Sequence, residues 1–100
     1  MTTDLTFSAG QRPDGTPVLA VTGEIDMSNA GEFGSALADA LPERGKLAVD
    51  LTGVGYLDTS GLALLFRHAQ RIEVTVGDML ATVVTISGLA DLTTVTRATA

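Results

Sequence analysis

The sequence predicts an α/β fold: a small mixed β-sheet, with an N-terminal antiparallel hairpin and then parallel strands, and helices packed mainly on one face. Apolar runs of strand length alternate with segments whose apolar residues recur every three or four positions. Glycine, proline and aspartate separate these segments. The chain has 100 residues, 45% hydrophobic and 18% charged, which is enough to bury one continuous core. We therefore expect residues 1–100 to form a single domain.

The first two strands are predicted to form the hairpin. Leu5 to Phe7 is a short strand candidate, and Pro17 to Ile25 contains an apolar run typical of a sheet interior. Residues 11–15 between them read Gln-Arg-Pro-Asp-Gly. Proline presets one backbone angle and Asp-Gly allows a tight reversal, so this segment predicts a turn.

The next segment predicts a helix followed by a parallel strand. The helix opens at Ser28-Asn29, with Glu32 at the spacing of a capping box, and it ends before Pro42. Its predicted core face consists of Ala30, Phe33, Leu37, Ala40 and Leu41. Residues 46–51 then form a buried strand, and a strand, a helix and a strand at this spacing make a parallel unit.

The second half predicts a further crossover and a third helix. We expect a loop over Thr52–Thr59, a helix from about Ser60 to His68, and a strand over Ile72–Val76, where apolar and polar residues alternate. Ala69-Gln70-Arg71 leaves an unusually short connection before that strand. A last short strand is predicted over Leu92–Thr96.

The third helix is predicted from Gly77-Asp78 to Gly88, which suits a helix end. Residues 82–86 are all β-branched, so local propensity favours a strand instead. The helical interpretation depends on an apolar face formed by Met79, Leu80, Val83, Val84 and Ile86.

Composition excludes several classes of function. Twelve acidic and six basic residues give a formal net charge of −6, which argues against nucleic acid as a partner. The chain has no cysteine, which excludes disulfides and zinc–cysteine sites and fits a reducing cytoplasm. Its longest apolar run, Leu62 to Phe66, is far shorter than the roughly 20 residues that cross a bilayer. We expect a cytoplasmic protein without membrane insertion, and the sequence indicates no metal site and no cofactor.

Topology predicts where a functional site would lie. If the second and third strands are parallel neighbours, the loops that follow them open at the same edge of the sheet, where function usually collects in α/β folds. The polar residues that this places together are Glu24, Asp26, Ser28, Asp58, Thr59 and Ser60.

Ser60 is predicted to lie at the amino end of the second helix. Backbone N–H groups there lack partners within the helix, so a phosphate on Ser60 would meet hydrogen-bond donors. The phosphate would also add about −1.5 to −2 charges beside Asp58, reversing what a partner meets at that surface. The residues equally allow a simpler interpretation, in which Ser60 or Thr59 only caps the helix.

Three segments resemble the signatures of STAS domains of the anti-sigma factor antagonist kind. Asp58-Thr59-Ser60-Gly61-Leu62, after the strand that ends at Leu51, is similar to the family's phosphorylation site. Gly23-Glu24-Ile25-Asp26 resembles its second signature, and residues 86–89 resemble the end of its third helix.

This resemblance implies a binding protein and no enzyme. Ser60 would be the phosphoacceptor, with Thr59 as the alternative; Asp26 would lie beside it, Asp58 would shape the loop, and Gly61 and Leu62 would complete the surroundings. The implied partners are an anti-sigma factor that is a serine kinase, bound by the unphosphorylated form so that sigma factor is released, and a serine phosphatase.

Two other functions are alternatives to this one. A Ser60–His68 catalytic pair is disfavoured because eight helical residues separate the two by roughly 12 Å along the axis. STAS-like domains also serve as constitutive scaffolds or subunits of transporters and signalling assemblies, without a phosphorylation cycle.

Overall fold

The computed structural model describes residues 4–98, which form five strands and three α-helices. The strands are β1 (Thr6–Gln11), β2 (Pro17–Ile25), β3 (Leu47–Leu57), β4 (Ile72–Val76) and β5 (Val95–Arg97). The helices are α1 (Ala30–Ala40), α2 (Thr59–Arg67) and α3 (Asp78–Ser87), with short 3₁₀ helices at Ala69–Arg71 and Leu89–Asp91. The strands lie in the order β1-β2-β3-β4-β5; β1 pairs antiparallel with β2, and every other pair is parallel. The predicted fold class is confirmed.

The helices share one face of the sheet. Parallel connections are right-handed as a rule, and because the strands are added in one direction, right-handed crossovers all place their helices on the same side. Strand β4 shows the result: Ile72, Val74 and Val76 are buried, whereas Glu73 and Thr75 are only half-buried on the opposite face. The core therefore lies between the sheet and its single helical layer.

The N-terminal hairpin is present as predicted, with a longer first strand. Strand β1 extends to Gln11, four residues beyond the predicted end at Phe7. The turn is closed by a hydrogen bond from Gly15 N to Arg12 O of 2.9 Å. Gly15 has a φ of 92°, a conformation that a residue with a Cβ rarely adopts.

Strand β3 corrects the largest error of the sequence analysis. Residues 52–57, predicted as a loop, continue the strand and pair with β2 alone. Two register shifts place extra residues in β3, so Leu51, Val54 and Leu57 face the core at a spacing of three. Because of this spacing, the sequence of this segment does not show the alternation of apolar and polar residues that is typical of a strand. Gly53 suggests a loop by its residue type, yet it lies where a Cβ would be 2.7 Å from Thr22 Cγ2.

The predicted capping box of α1 is wrong. The Asn29 side chain does not cap the helix. Its Oδ1 accepts a hydrogen bond from Asp26 N at 2.9 Å, and its Nδ2 donates to Glu24 O at 2.8 Å. Asn29 therefore fixes the chain between β2 and α1, which includes the predicted site residue Asp26.

The second half of the chain follows the prediction with small changes. Helix α2 begins at Thr59, one residue early, and the 3₁₀ turn at Ala69–Arg71 takes the chain directly into β4. The last strand begins at Val95, later than predicted.

Helix α3 is a helix, as predicted, but its apolar residues do not share one face. Leu80 and Val84 are buried, whereas Met79, Val83 and Ile86 are exposed. Of the five predicted face residues, only Leu80 and Val84, which are one helical turn apart, are buried. The helix ends at Gly88, which has a φ of 88° and supplies the left-handed C-cap that the sequence predicted.

Candidate functional site

The loops that follow β2 and β3 meet at one edge of the sheet, as the topology predicts. The backbone N–H of Asp58 donates to the Ile25 carbonyl at 3.1 Å, which joins the two strand ends. Strand β2 then leads through Asp26 into α1, and β3 leads through Asp58 into α2. The predicted site residues therefore lie at the end of β2, on the two loops that follow the strands, and in the first turn of α2.

Asp58 is the residue that organises the start of α2. It is the N-cap, and its Oδ1 accepts hydrogen bonds from Ser60 N at 3.0 Å and from Gly61 N at 3.1 Å. The Ser60 hydroxyl donates to the same oxygen at 2.5 Å. The cap is therefore the aspartate, and the serine is held by it as the second residue of the helix.

These contacts set the charge of Asp58. The Ser60 hydroxyl, as the largest cause, lowers the pKa of the Asp58 carboxyl below its ordinary value of 3.8. Partial burial acts in the opposite direction, and the N–H groups of Gly61, Ser60 and Met27 lower the pKa further. Asp58 is consequently ionised at neutral pH, directly beside the Ser60 oxygen.

Because of these contacts, a phosphate on Ser60 would meet a different environment from the one that the sequence predicts. The sequence predicts free N–H groups at the start of α2. The N–H groups of Ser60 and Gly61 are already bound to Asp58, and Leu62 N donates to Asp58 O at 3.0 Å. An incoming phosphate would have to compete with a carboxylate for these donors.

Gly61 is required by close packing. The residue is buried, and an added Cβ would lie 2.6 Å from both Ile25 Cγ2 and Leu57 Cδ1. The first turn of α2 thus rests on the ends of β2 and β3, which fixes the position of Ser60. Leu62 is half-buried against the core, so its side chain supports the helix more than it forms surface.

Asp26 lies on the adjacent loop, but its carboxylate bonds within that loop. Its Oδ1 accepts from Ser28 N at 2.9 Å and from Ser28 Oγ at 2.5 Å. The same contact occurs a third time between Asp50 and Thr52. The Asp-x-Ser contact at position 60 is therefore a local motif that this chain uses repeatedly.

The remaining predicted residues surround Ser60. Thr59, the alternative acceptor, is exposed on the first residue of α2, and Ser60 itself is half-buried. Glu24 pairs with Tyr56 in the β2–β3 ladder. Sequence reasoning missed Met27, which directly follows Asp26 in the loop between β2 and α1. This residue is 83% exposed.

Sequence reasoning also missed a groove between α1 and α2. It has a volume of about 500 Å³, and Ser60 lines one part of it. On α1 its wall consists of small residues, among them Gly31, Gly34 and Ala38. Their spacing of three and four positions was the available signal, since such positions share one side of a helix.

The residues that the sequence analysis considered for metal binding or catalysis lie apart from one another in the described part of the chain. Within residues 4–98, no group of three or more histidine, aspartate or glutamate side chains is arranged to hold a metal ion. The Ser60 hydroxyl donates to Asp58, and His68 lies at the other end of α2 as its C-cap. No helix in this part of the chain has the length and apolarity needed to cross a bilayer.

The mixed five-stranded sheet with three helices is the fold of a STAS domain. A family model described as "Mlab, STAS domain" matches residues 8–97, and the chain belongs to this family. No curated protein matches the sequence.

Solved structures with the same fold include several anti-sigma factor antagonists. One from Mycobacterium paratuberculosis has a TM-score of 0.83 at 23% identity, covering 93% of this chain and 86% of that one. The unphosphorylated form of SpoIIAA has a TM-score of 0.65 at 16% identity, covering 94% and 89%. A STAS-domain antagonist from Rhodobacter sphaeroides has a TM-score of 0.53 at 18% identity, covering 72% and 84%. At these identities the likeness shows the fold, which is that of anti-sigma factor antagonists.

Proposed function

We propose that this protein is an anti-sigma factor antagonist whose binding is switched by phosphorylation of Ser60. Its unphosphorylated form binds an anti-sigma factor that is a serine kinase, so that sigma factor is released in the cytoplasm. A serine phosphatase reverses the modification. The observation that carries this proposal is the half-buried Ser60 hydroxyl held 2.5 Å from the ionised Asp58 carboxylate at the start of α2.

The geometry supports a switch that acts through charge. Because Asp58 already occupies the N–H groups of Ser60 and Gly61, a phosphate gains few new partners inside the domain. Its charge of about −1.5 to −2 then adds to that of Asp58 at the surface. A partner that accepts the neutral serine meets a strongly negative site after modification, while the buried supports of the loop stay in place.

Binding to an anti-sigma factor kinase tests this proposal. Ser60→Ala removes the acceptor but adds no charge, so we expect it to bind with nearly wild-type affinity. Ser60→Asp adds a permanent charge beside Asp58, so we expect weaker binding, by about tenfold or more. Ser28→Ala is the matched control, since Ser28 makes the same contact with Asp26 on the neighbouring loop. Equal affinity of the alanine and aspartate variants of Ser60 would contradict the switch.

A constitutive scaffold is the second candidate, and one observation favours it. The Asp-x-Ser or Asp-x-Thr contact recurs at Asp26 and Asp50, where it only shapes the backbone. If Ser60 has the same structural role, the domain acts as a fixed subunit of a transporter or signalling assembly. Such a scaffold would bind its partner equally well with alanine or aspartate at position 60.

A further inference from the structure

The groove between α1 and α2 connects Ser60 with the carboxyl end of α2. Both helices run from the site edge of the sheet toward the opposite edge, and the groove follows them from Ser60 to Arg67 and His68. It can be this open because α1 presents Gly31, Gly34 and Ala38 to it. Its volume of about 500 Å³ lies in the range of sites that hold several side chains or a small ligand.

The charge at the Arg67 end of this groove is opposite to the net charge of the protein. Twelve acidic residues outnumber six basic ones in the chain, yet the groove is lined by Arg67 and His68 and by no acidic side chain. The acidic residues of α1, Glu32 and Asp39, are outside the lining.

Arg67 is also available to a partner. Its side chain is exposed, and no carboxylate among residues 4–98 forms an ion pair with it. Three other arginines differ in this respect: Arg12 pairs with Glu73, Arg97 pairs with Asp78, and Arg71 is bound to backbone carbonyls. The groove therefore offers an unpaired cation at one end and the modifiable hydroxyl at the other.

We propose that this groove receives an acidic segment of the kinase that acts on Ser60, with a carboxylate of that segment bound at Arg67 and His68. This inference rests on the proposed function, and it identifies a contact on which binding of the kinase depends. The small residues of α1 leave room for the backbone and side chains of the segment. The guanidinium group of Arg67 can donate two parallel hydrogen bonds to the carboxylate of that segment.

The same arrangement explains how a phosphate would release the kinase. Ser60 lines the groove, so its phosphate would stand at one end of the path that the acidic segment occupies. The phosphate would then meet the part of the acidic segment that lies beside Ser60, roughly 10 Å from the carboxylate at Arg67. Like charges brought together in an interface cost considerable affinity. Release would follow without any rearrangement of the sheet.

Charge reversal and steric filling test the groove separately. With each candidate anti-sigma factor kinase, without ATP, we would measure the dissociation constants of Arg67→Glu and of the matched control Arg44→Glu. Arg44 is exposed and outside the groove, and among residues 4–98 it too forms no ion pair. At Gly31, where an added Cβ has no neighbour within 4 Å, Gly31→Leu fills the groove. Gly10→Leu is its control, because Gly10 lies in the exposed strand β1, outside the groove, and an added Cβ there also has no neighbour within 4 Å.

We expect Arg67→Glu and Gly31→Leu each to weaken binding about tenfold or more, with both controls within about twofold of the wild type. Raised salt should weaken the wild type more than Arg67→Glu, because the variant has lost the attractive pair. If Arg67→Glu binds no worse than Arg44→Glu, while a parallel reaction of the wild type with ATP phosphorylates Ser60, the groove inference is wrong and the switch stands. If no candidate kinase binds or phosphorylates the wild-type protein, the proposed function fails, and the inference is overturned with it.

Discussion

Replacing Gly61 with alanine tests how the fold positions Ser60. The residue is buried under the first turn of α2, and an added methyl group would lie 2.6 Å from Ile25 Cγ2 and from Leu57 Cδ1. Carbon atoms in contact normally lie about 3.5–4.0 Å apart, so each contact is about 1 Å too short. Helix α2 or the strand ends must move to accept Gly61→Ala.

The expected change in the free energy of unfolding is the sum of two opposing effects. Adding a methyl group to a packed core costs about 1–3 kcal/mol, and the two short contacts at Gly61 place this substitution at about 2–3 kcal/mol. Alanine in place of glycine in a helix returns up to about 1 kcal/mol. We therefore expect a net loss of about 1–2 kcal/mol in the free energy of unfolding, which lowers Tm by roughly 5–15 °C in a domain of this size.

Urea unfolding followed by circular dichroism measures this loss. Gly31→Ala is the matched control, because a Cβ at that position of α1 has no neighbour within 4 Å. Its stability should rise slightly, by up to about 1 kcal/mol. A Gly61→Ala variant as stable as the wild type would refute the claim that α2 rests directly on the ends of β2 and β3.

Two further predictions concern the supports of the site and of the opposite edge. Asp58→Asn should be less stable than the wild type at neutral pH, and the difference in the free energy of unfolding should shrink as the pH falls below 3.8. The reason is that a carboxyl with a lowered pKa loses its stabilising charge as it is protonated. Urea titrations at several pH values measure this difference, and a difference that does not change with pH would contradict the prediction. Arg71→Ala removes hydrogen bonds to the carbonyls of Pro42 and Gly45, so we expect a loss of about 1–2 kcal/mol and faster amide exchange over residues 43–46. Unchanged exchange in that loop would show that Arg71 does not hold it.

Much of the fold could be predicted from the sequence because local pattern and global structure agree. Apolar and polar residues alternate in β4, and glycine ends α3 where the helix must turn. The β-branched run of α3 favoured a strand locally, but burial of Leu80 and Val84 against the sheet outweighs that preference. Where the local pattern was distorted, prediction failed. The bulges of β3 changed its period, so residues 52–57 resembled a loop.

The sequence predicted which strand ends meet at the candidate site, but not the contacts that the residues make there. Topology brought Asp26 and Asp58 to one edge, because the ends of adjacent parallel strands must meet there. The sequence did not specify that Asp58 would take the N–H groups expected to receive a phosphate. The groove depends on the approach of two helices, where a Cβ on Gly34 would lie 3.2 Å from Leu64 Cδ2. Distances of that kind follow from tertiary packing and have no signature in a single segment.

Phosphate mapping after incubation with candidate anti-sigma factor kinases and ATP tests the central claim most directly. The intact mass should increase by one phosphate, and fragmentation should place it on Ser60 and distinguish that residue from the adjacent Thr59. Ser60→Ala should remain unmodified, and Ser28→Ala should be modified like the wild type. A stable complex with a kinase but no phosphate on Ser60 would contradict the switch and favour the constitutive scaffold.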